Sequence, residues 1–186
     1  MGYYALISSL PMLTLDGDSG MTMKYFLSSC ESCLPEKKYN ILEKLELIPN
    51  PAESGNCSFT EQYGIWENAL RNAIVRIRAN KLDRNPEEYL NEKDSFELDA
   101  ERAVVAAWAV ANPLEREQIL DQARWNKIEE LAGGDTFSFE QLCAYKLKLI
   151  LQRKWIERAA DRAARNLDLS TENVLNSVEQ NMKQEN

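Results

Sequence analysis

The sequence predicts an all-α protein, a helical bundle of about six to eight helices, and three observations carry that prediction. Helix-start signals recur at the head of apolar stripes of helical period, no Pro or Gly follows Gly134, and the only stretch open to a strand reading is 5–15. With 186 residues, 44% of them apolar, the chain can fill one well-cored domain. We read 1–186 as a single helical domain, divisible into lobes 1–84 and 85–170, with a frayed tail over 171–186.

Taken in order, residues 5–15 stay open between strand and helix, and Asp16-Gly17-Asp18-Ser19-Gly20 is a loop. Pro35 and the segment 49–55 bracket a short helix, 36–47. Ser58-Phe59-Thr60-Glu61 has the form of a capping box, the Ser58 hydroxyl taking the third amide and Glu61 reaching back to the first. From 58 to about 82, Tyr63, Trp66, Leu70, Ala73, Ile74 and Ile77 then share one face. Asn85-Pro86 breaks the chain, and Asp94-Ser95-Phe96-Glu97 offers a second box with an acidic cap. Residues 103–111 are apolar all round, which predicts a central helix. Asn112-Pro113 places a cap before a proline whose missing amide costs nothing there. Gly133-Gly134-Asp135 reads as a helix C-cap and turn. Ser138-Phe139-Glu140-Gln141 is a third box, with Phe137 and Leu142 as its hydrophobic staple. The helix it opens runs to about Asn166, with Leu142, Tyr145, Leu149, Ile156, Ala160 and Ala163 on a common face, and a further amphipathic piece covers 170–182.

Composition removes much chemistry. Histidine is absent, which excludes Ser-His-Asp triads, Cys-His dyads, Glu-x-x-His di-iron sites and His-Glu-x-x-His zinc sites. Neither GxxxxGK nor GxGxxG is present to cradle a phosphate. Cys30-Glu31-Ser32-Cys33 has CxxC spacing, open to metal binding, dithiol exchange or plain packing; Cys57 is a third thiol, with no histidine to complete a zinc set. Paired carboxylates such as Glu87-Glu88 and Glu129-Glu130 read as solvated helix surface. We therefore expect no cofactor and no catalysis. Asp121 is different, because it lies on the apolar side of its helix, and Arg153 likewise interrupts the Leu149–Ile156 stripe. The two are candidates for a partly buried pair, but Arg153 snorkelling to solvent along its aliphatic stem is the reading we favour.

Charge and location follow. The formal net charge is −8, yet 136–170 carries seven bases against four acids while 61–135 carries ten against sixteen. The overall sign opposes nucleic-acid binding, and the basic helix lacks interleaved exposed aromatics. The longest apolar run is nine residues, far short of the roughly 20 that span a bilayer. With no basic residue ahead of the N-terminal apolar run, a cytoplasmic protein with reduced thiols and no direct membrane insertion is expected.

What remains is surface. Leu147, Ile150 and Leu151 form a second apolar edge on the last helix, followed along the same edge by Lys154 and Arg158. Apolar anchors running into charge suit a protein interface, and Arg71, Val75, Arg78 and Leu82 repeat the idea weakly on the earlier helix. Internal packing explains the apolar half of that edge equally well. We take Leu147, Ile150, Leu151, Lys154, Arg158, Arg71 and Arg78 as the candidate protein-binding residues.

Several segments carry a family resemblance. Tyr3-Tyr4-Ala5-Leu6-Ile7-Ser8-Ser9-Leu10-Pro11, Trp66-Glu67-Asn68-Ala69-Leu70-Arg71-Asn72, Glu115-Arg116 with 121–125, Phe139, Ala144-Tyr145-Lys146-Leu147-Lys148-Leu149 and Arg153-Lys154-Trp155 span nearly the whole chain. In pattern and order they resemble a short bacterial family encoded beside V/A-type ATPase subunits, itself similar to the C (or d) subunit of those rotary machines. That subunit is built of three helical units and couples the central stalk to the membrane ring. The resemblance implies one to two such units and no catalysis. It also implies a peripheral role between stalk and membrane ring, as a non-enzymatic subunit or accessory. A free-standing cytoplasmic helical adaptor with an unrelated protein partner is the rival reading.

Overall fold

The computed structural model describes residues 3–49, 57–91 and 95–184, with side chains through 165. Among these residues there are seven α-helices and no strand: α1 (Tyr4–Ser9), α2 (Met23–Glu31), α3 (Glu36–Lys44), α4 (Ser58–Lys81), α5 (Leu98–Ala109), α6 (Pro113–Ala132) and α7 (Phe139–Gln184). A 3₁₀ turn, Pro86–Glu88, follows the Asn85-Pro86 break. The open stretch 5–15 resolves into α1 and an irregular strap, and the 170–182 piece is continuous with α7.

Local chemistry sets the boundaries. Asn112 accepts from the Leu114 amide at 3.0 Å, with Pro113 at the first helical position of α6. Ser138 accepts from the Gln141 amide at 3.4 Å and opens α7. The box on α4 sits one residue earlier than expected. Cys57 is the cap, its sulfur accepting from the Thr60 amide, while the Thr60 hydroxyl accepts from the Cys57 amide at 3.2 Å. The second expected box does not cap α5, which begins at Leu98 behind Glu97 without a side-chain cap; Asp94 lies outside the described residues. Helix α4 ends with Asp83 in the left-handed region, φ 52°, and the Arg84 amide bonded back to the Ala79 carbonyl at 2.9 Å.

The central helix is not the one expected. Residues 103–111 were to lie inside, but on α5 Val105, Ala106 and Ala109 face solvent and only Ala100, Val104 and Ala107 are buried. Alanines carry little apolar area, so leaving them exposed costs little. The first third of α7 takes the centre, packed by α2, α3, α4 and α6, with Leu142, Leu147, Leu149 and Leu151 fully buried. Both of its apolar edges are therefore internal, and the predicted docking edge loses its apolar half to the core. Leu147 and Leu151 are 0% exposed and Ile150 is half-buried.

Two polar side chains share that core, each with partners. Lys146 donates to the Leu42 and Glu43 carbonyls at 2.9 and 2.6 Å, closing the C-terminus of α3, which stops at Lys44 rather than 47. Gln152 donates to the Thr14 carbonyl and accepts from the Ser19 hydroxyl, both at 2.8 Å, and Tyr145 donates to the Pro11 carbonyl at 3.0 Å. These bonds bind the strap 11–19 to α7. The expected stripe of α4 is inside, with Tyr63, Trp66, Leu70 and Ala73 buried. Phe137 rests on the Tyr4 ring at 4.4 Å between centroids, while Leu142 turns into the core.

Candidate docking site at the root of the last helix

Where α7 leaves the core, α4, α6 and α7 meet in a network of alternating charges. Glu67 on α4 is 1% exposed, and Arg124 on α6 grips it from two sides, Nε to Oε2 at 2.9 Å and Nη2 to Oε1 at 2.8 Å. The same guanidinium donates to Oδ1 of the fully buried Asp121 at 2.9 Å. Asp121 Oδ2 accepts from Lys154 Nζ at 2.6 Å and from the Trp155 indole at 3.1 Å. Lys154 also reaches Glu117 at 2.7 Å, and Arg158 closes on the other Glu117 oxygen at 2.5 Å while lying 5.2 Å from the Trp155 ring centre. Three carboxylates and three cations thus balance, which is the condition for placing charge inside.

The electrostatics follow the geometry. Burial pushes the Glu67 carboxyl above the ordinary carboxylate range, and the Arg124 guanidinium draws it back only in part. Glu117, nearer solvent, is drawn down to about 2, first by its bond to Arg158 and then by Lys154. Lys146, deeper in the core, has its ammonium lowered by burial.

The sequence singled out Asp121 but not its partners: Lys154, one residue past Arg153, the Trp155 indole and Arg124 of its own helix hold it, and Arg153 is not among the groups bonded to it. Of the candidate binding residues, Lys154 and Arg158 turn inward to Glu117 and Asp121, and Arg71 and Arg78 are exposed, Arg78 lying 5.8 Å from the Trp108 ring centre. Glu67, Arg124 and Glu117 were overlooked. A signal for the first existed, since Glu67 sits between Trp66 and Ala69 on the buried side of α4.

Beyond this root the stripe that buries Leu142 and Leu149 continues into solvent. Ile156 is half-buried, and every side chain from 159 to 165 is exposed, including Ala160 and Ala163 of the stripe and Arg162 and Arg165 beside it. The backbone stays helical to Gln184, which makes α7 about 69 Å long at 1.5 Å per residue. A groove of about 490 Å³ lies at the base, lined by Leu15, Asp16, Asp18, Trp155, Arg158 and Arg162 among others. The alanines expose little apolar area, but a helix face of small residues edged with charge lets a second helix approach closely.

A family model described as a protein of unknown function (DUF2764) matches residues 96–168. The match takes in α5, α6 and the α7 root, hence every member of the charge network except Glu67. No curated protein and no solved structure matches the chain. Among the described residues no helix is long and apolar enough to cross a membrane, and no group of three or more Cys, Asp or Glu is placed to hold a metal ion.

Proposed function

We propose that this chain is a non-enzymatic docking protein whose exposed length of α7 is the partner-binding element. The observation that carries the reading is the stripe itself: the face that packs the core at Leu142 and Leu149 runs on, helical and uncovered, through Ala160 and Ala163. The buried acids are engaged structurally, Glu67 and Asp121 by Arg124 and Lys154, which suits a scaffold. On the resemblance drawn from the sequence, the partners are stalk and membrane-ring subunits of a V/A-type ATPase. The protein would then be cytoplasmic, held at the membrane through that complex, and act as a resident subunit or an accessory.

A free-standing adaptor is the second reading. It draws on the outward face of α5, where Leu98 and Val105 are 52% and 63% exposed and supply a second apolar surface. A photo-crosslinking residue at Ala160 of the tagged full chain, expressed in its native cells, tests both. Crosslinks to stalk or ring subunits, weakened at least tenfold by Ala163→Asp with an unchanged melting temperature, are expected. Crosslinks confined to proteins outside the ATPase overturn the partner and leave the adaptor; no crosslink at any position from 156 to 165 overturns the docking element.

A further inference from the structure

Two helix edges of this chain complement each other, and the first is on α4. Arg71, Val75, Arg78 and Leu82 recur at i, i+4, i+7 and i+11, so they share one edge that ends at the α4 C-cap. Arg71 and Arg78 are exposed, Leu82 is 69% exposed and Val75 is half-buried. Among the described residues no ion pair reaches Arg71 or Arg78, whereas Arg76 on another face is taken by Glu101 at 3.1 Å. Residues 71–84 carry five bases against one acid.

The second edge is on α7 beyond the core. Asp168, Glu172, Leu175 and Glu179 recur at the same i, i+4, i+7 and i+11 spacing on a backbone that stays helical to Gln184. Residues 166–184 carry three acids against one base. Set antiparallel to α4, position 172 falls opposite 78, 175 opposite 75 and 179 opposite 71. Each acid then meets an arginine and Leu175 meets Val75, while Asp168 comes level with Leu82 and the exposed Lys81 beside it. We propose that two copies of this chain pair reciprocally, the 168–179 edge of α7 in each seated antiparallel on the Arg71–Leu82 edge of α4 in the other. The proposal rests on the reading of α7 as a docking element and gives its distal length a second copy as occupant, on a different edge from Ala160 and Ala163.

A second copy is required because the chain's own α7 runs past this edge. Arg78 lies level with the α7 root: it shares the Trp108 ring with Arg116, whose neighbour Glu117 holds Arg158. Glu172 is fourteen residues beyond Arg158, about 21 Å further along one unbroken helix. Direction fits as well. Going from Arg124 toward Arg116 on α6, the partners advance from Glu67 to the Arg78 region on α4 and from Lys154 to Arg158 on α7, so α4 and α7 point the same way. A two-fold axis across that end sets α7 of one copy antiparallel to α4 of the other and closes the pair. Nucleic acid is the poorer occupant of the α4 edge, since the exposed Glu87 and Glu88 follow it and the chain carries a net −8.

Light scattering on the purified full chain, from about 5 to 200 μM, tests the pairing. We expect a mass that rises with concentration toward two chains, and a Kd at least tenfold higher at about 500 mM salt than at about 50 mM. Arg71→Glu with Arg78→Glu, and separately Glu172→Lys with Glu179→Lys, should each weaken self-association at least tenfold. Mixing the two double variants should restore a dimer containing one of each, because both seams are then complementary. A monomer across the whole range overturns the proposal. So does a dimer that both double variants leave intact, or a pair of dissociated variants that do not recover on mixing. If the α4 variant unfolds, the α7 variant decides alone, since its changes lie beyond the packed part of α7. Monomers that still crosslink at Ala160 to ATPase subunits overturn the pairing and leave the docking reading; a dimer without those crosslinks keeps the pairing and overturns that partner.

Discussion

Arg124→Met isolates what the charge network contributes. The change keeps the aliphatic stem and removes three bonds, two to Glu67 and one to Asp121. The two acids are left unequal. Asp121 keeps Lys154 and the Trp155 indole, whereas Glu67, 1% exposed, loses both bonds that Arg124 gave it. Removing one partner of a buried pair costs about 3–5 kcal/mol. For a chain of this size that lowers the melting temperature by roughly 6–20 °C. Lys154→Met should cost less, since Asp121 retains Arg124 and Glu117 retains Arg158.

The pH dependence distinguishes a buried charge from lost packing. Burial already holds the Glu67 carboxyl above its ordinary range, and without the guanidinium it moves higher. A group whose folded pKa exceeds its unfolded value is favoured in the folded state when protonated, so its destabilising effect is felt above the folded pKa and fades below it. The variant should therefore recover stability relative to wild type as the pH falls from neutral toward the carboxylate range. Urea unfolding followed by tryptophan fluorescence, with circular dichroism as a second probe, measures this directly. A loss below about 1 kcal/mol, or one flat with pH, would refute the reasoning.

Two further outcomes follow from the same geometry. Leu151→Asp places a charge at a 0% exposed position in the central part of α7 and should cost upward of about 4 kcal/mol, abolishing a cooperative melt; a melting temperature within a few degrees of wild type would return that edge to the surface. Glu117→Gln removes a half-exposed acid, so solvent screening limits the loss to about 0.5–1 kcal/mol at neutral pH. Because Glu117 is held at about 2, below its ordinary 4.5, its contribution is full above about 4.5 and is lost as the pH falls toward about 2. Urea titrations should find the wild-type and variant curves converging across that window, and a gap that persists in acid would count against the Arg158 pairing.

Much of the fold was legible because its causes are local. Asn112-Pro113 starts α6 through two neighbouring residues, and the Tyr63-to-Ala73 stripe buries itself wherever α4 finds a partner. What escaped the sequence depends on partners distant along the chain. Lys146 and Gln152 look like the polar margin of an amphipathic helix, yet carbonyls about a hundred residues upstream satisfy them inside the core. That made the Leu147–Leu151 edge resemble a surface. The uniformly apolar run at 103–111 misled in the opposite sense, because alanine tolerates solvent as readily as core. Asp121 was conspicuous as an acid on an apolar face, but choosing between Arg153 and Lys154 requires the helix phase to better than one residue, a turn of about 100°.

The network at the α7 root also bears on why charge is used there at all. Well-packed apolar residues of similar volume would hold the same seam at least as firmly, so stability does not select the ion pairs. Geometry separates the two solutions. An apolar seam tolerates sliding, since leucine packs nearly as well one turn along. A slide of one turn, about 5.4 Å, in one direction would put Ile150 where Lys154 stands, leaving the buried Asp121 only Arg124 of its own helix, and Asp121, with no exposure, cannot recover water. In the other direction Arg158 and Arg162 would arrive at the same acids, but the Trp155 indole would leave Asp121. Charge and the indole together favour the observed register of α7 against α6, and register at the root sets where Ala160 and Ala163 point. If α7 docks as proposed, it needs that constraint more than it needs extra stability, because a small rotation at the base moves every contact along the length outside the core.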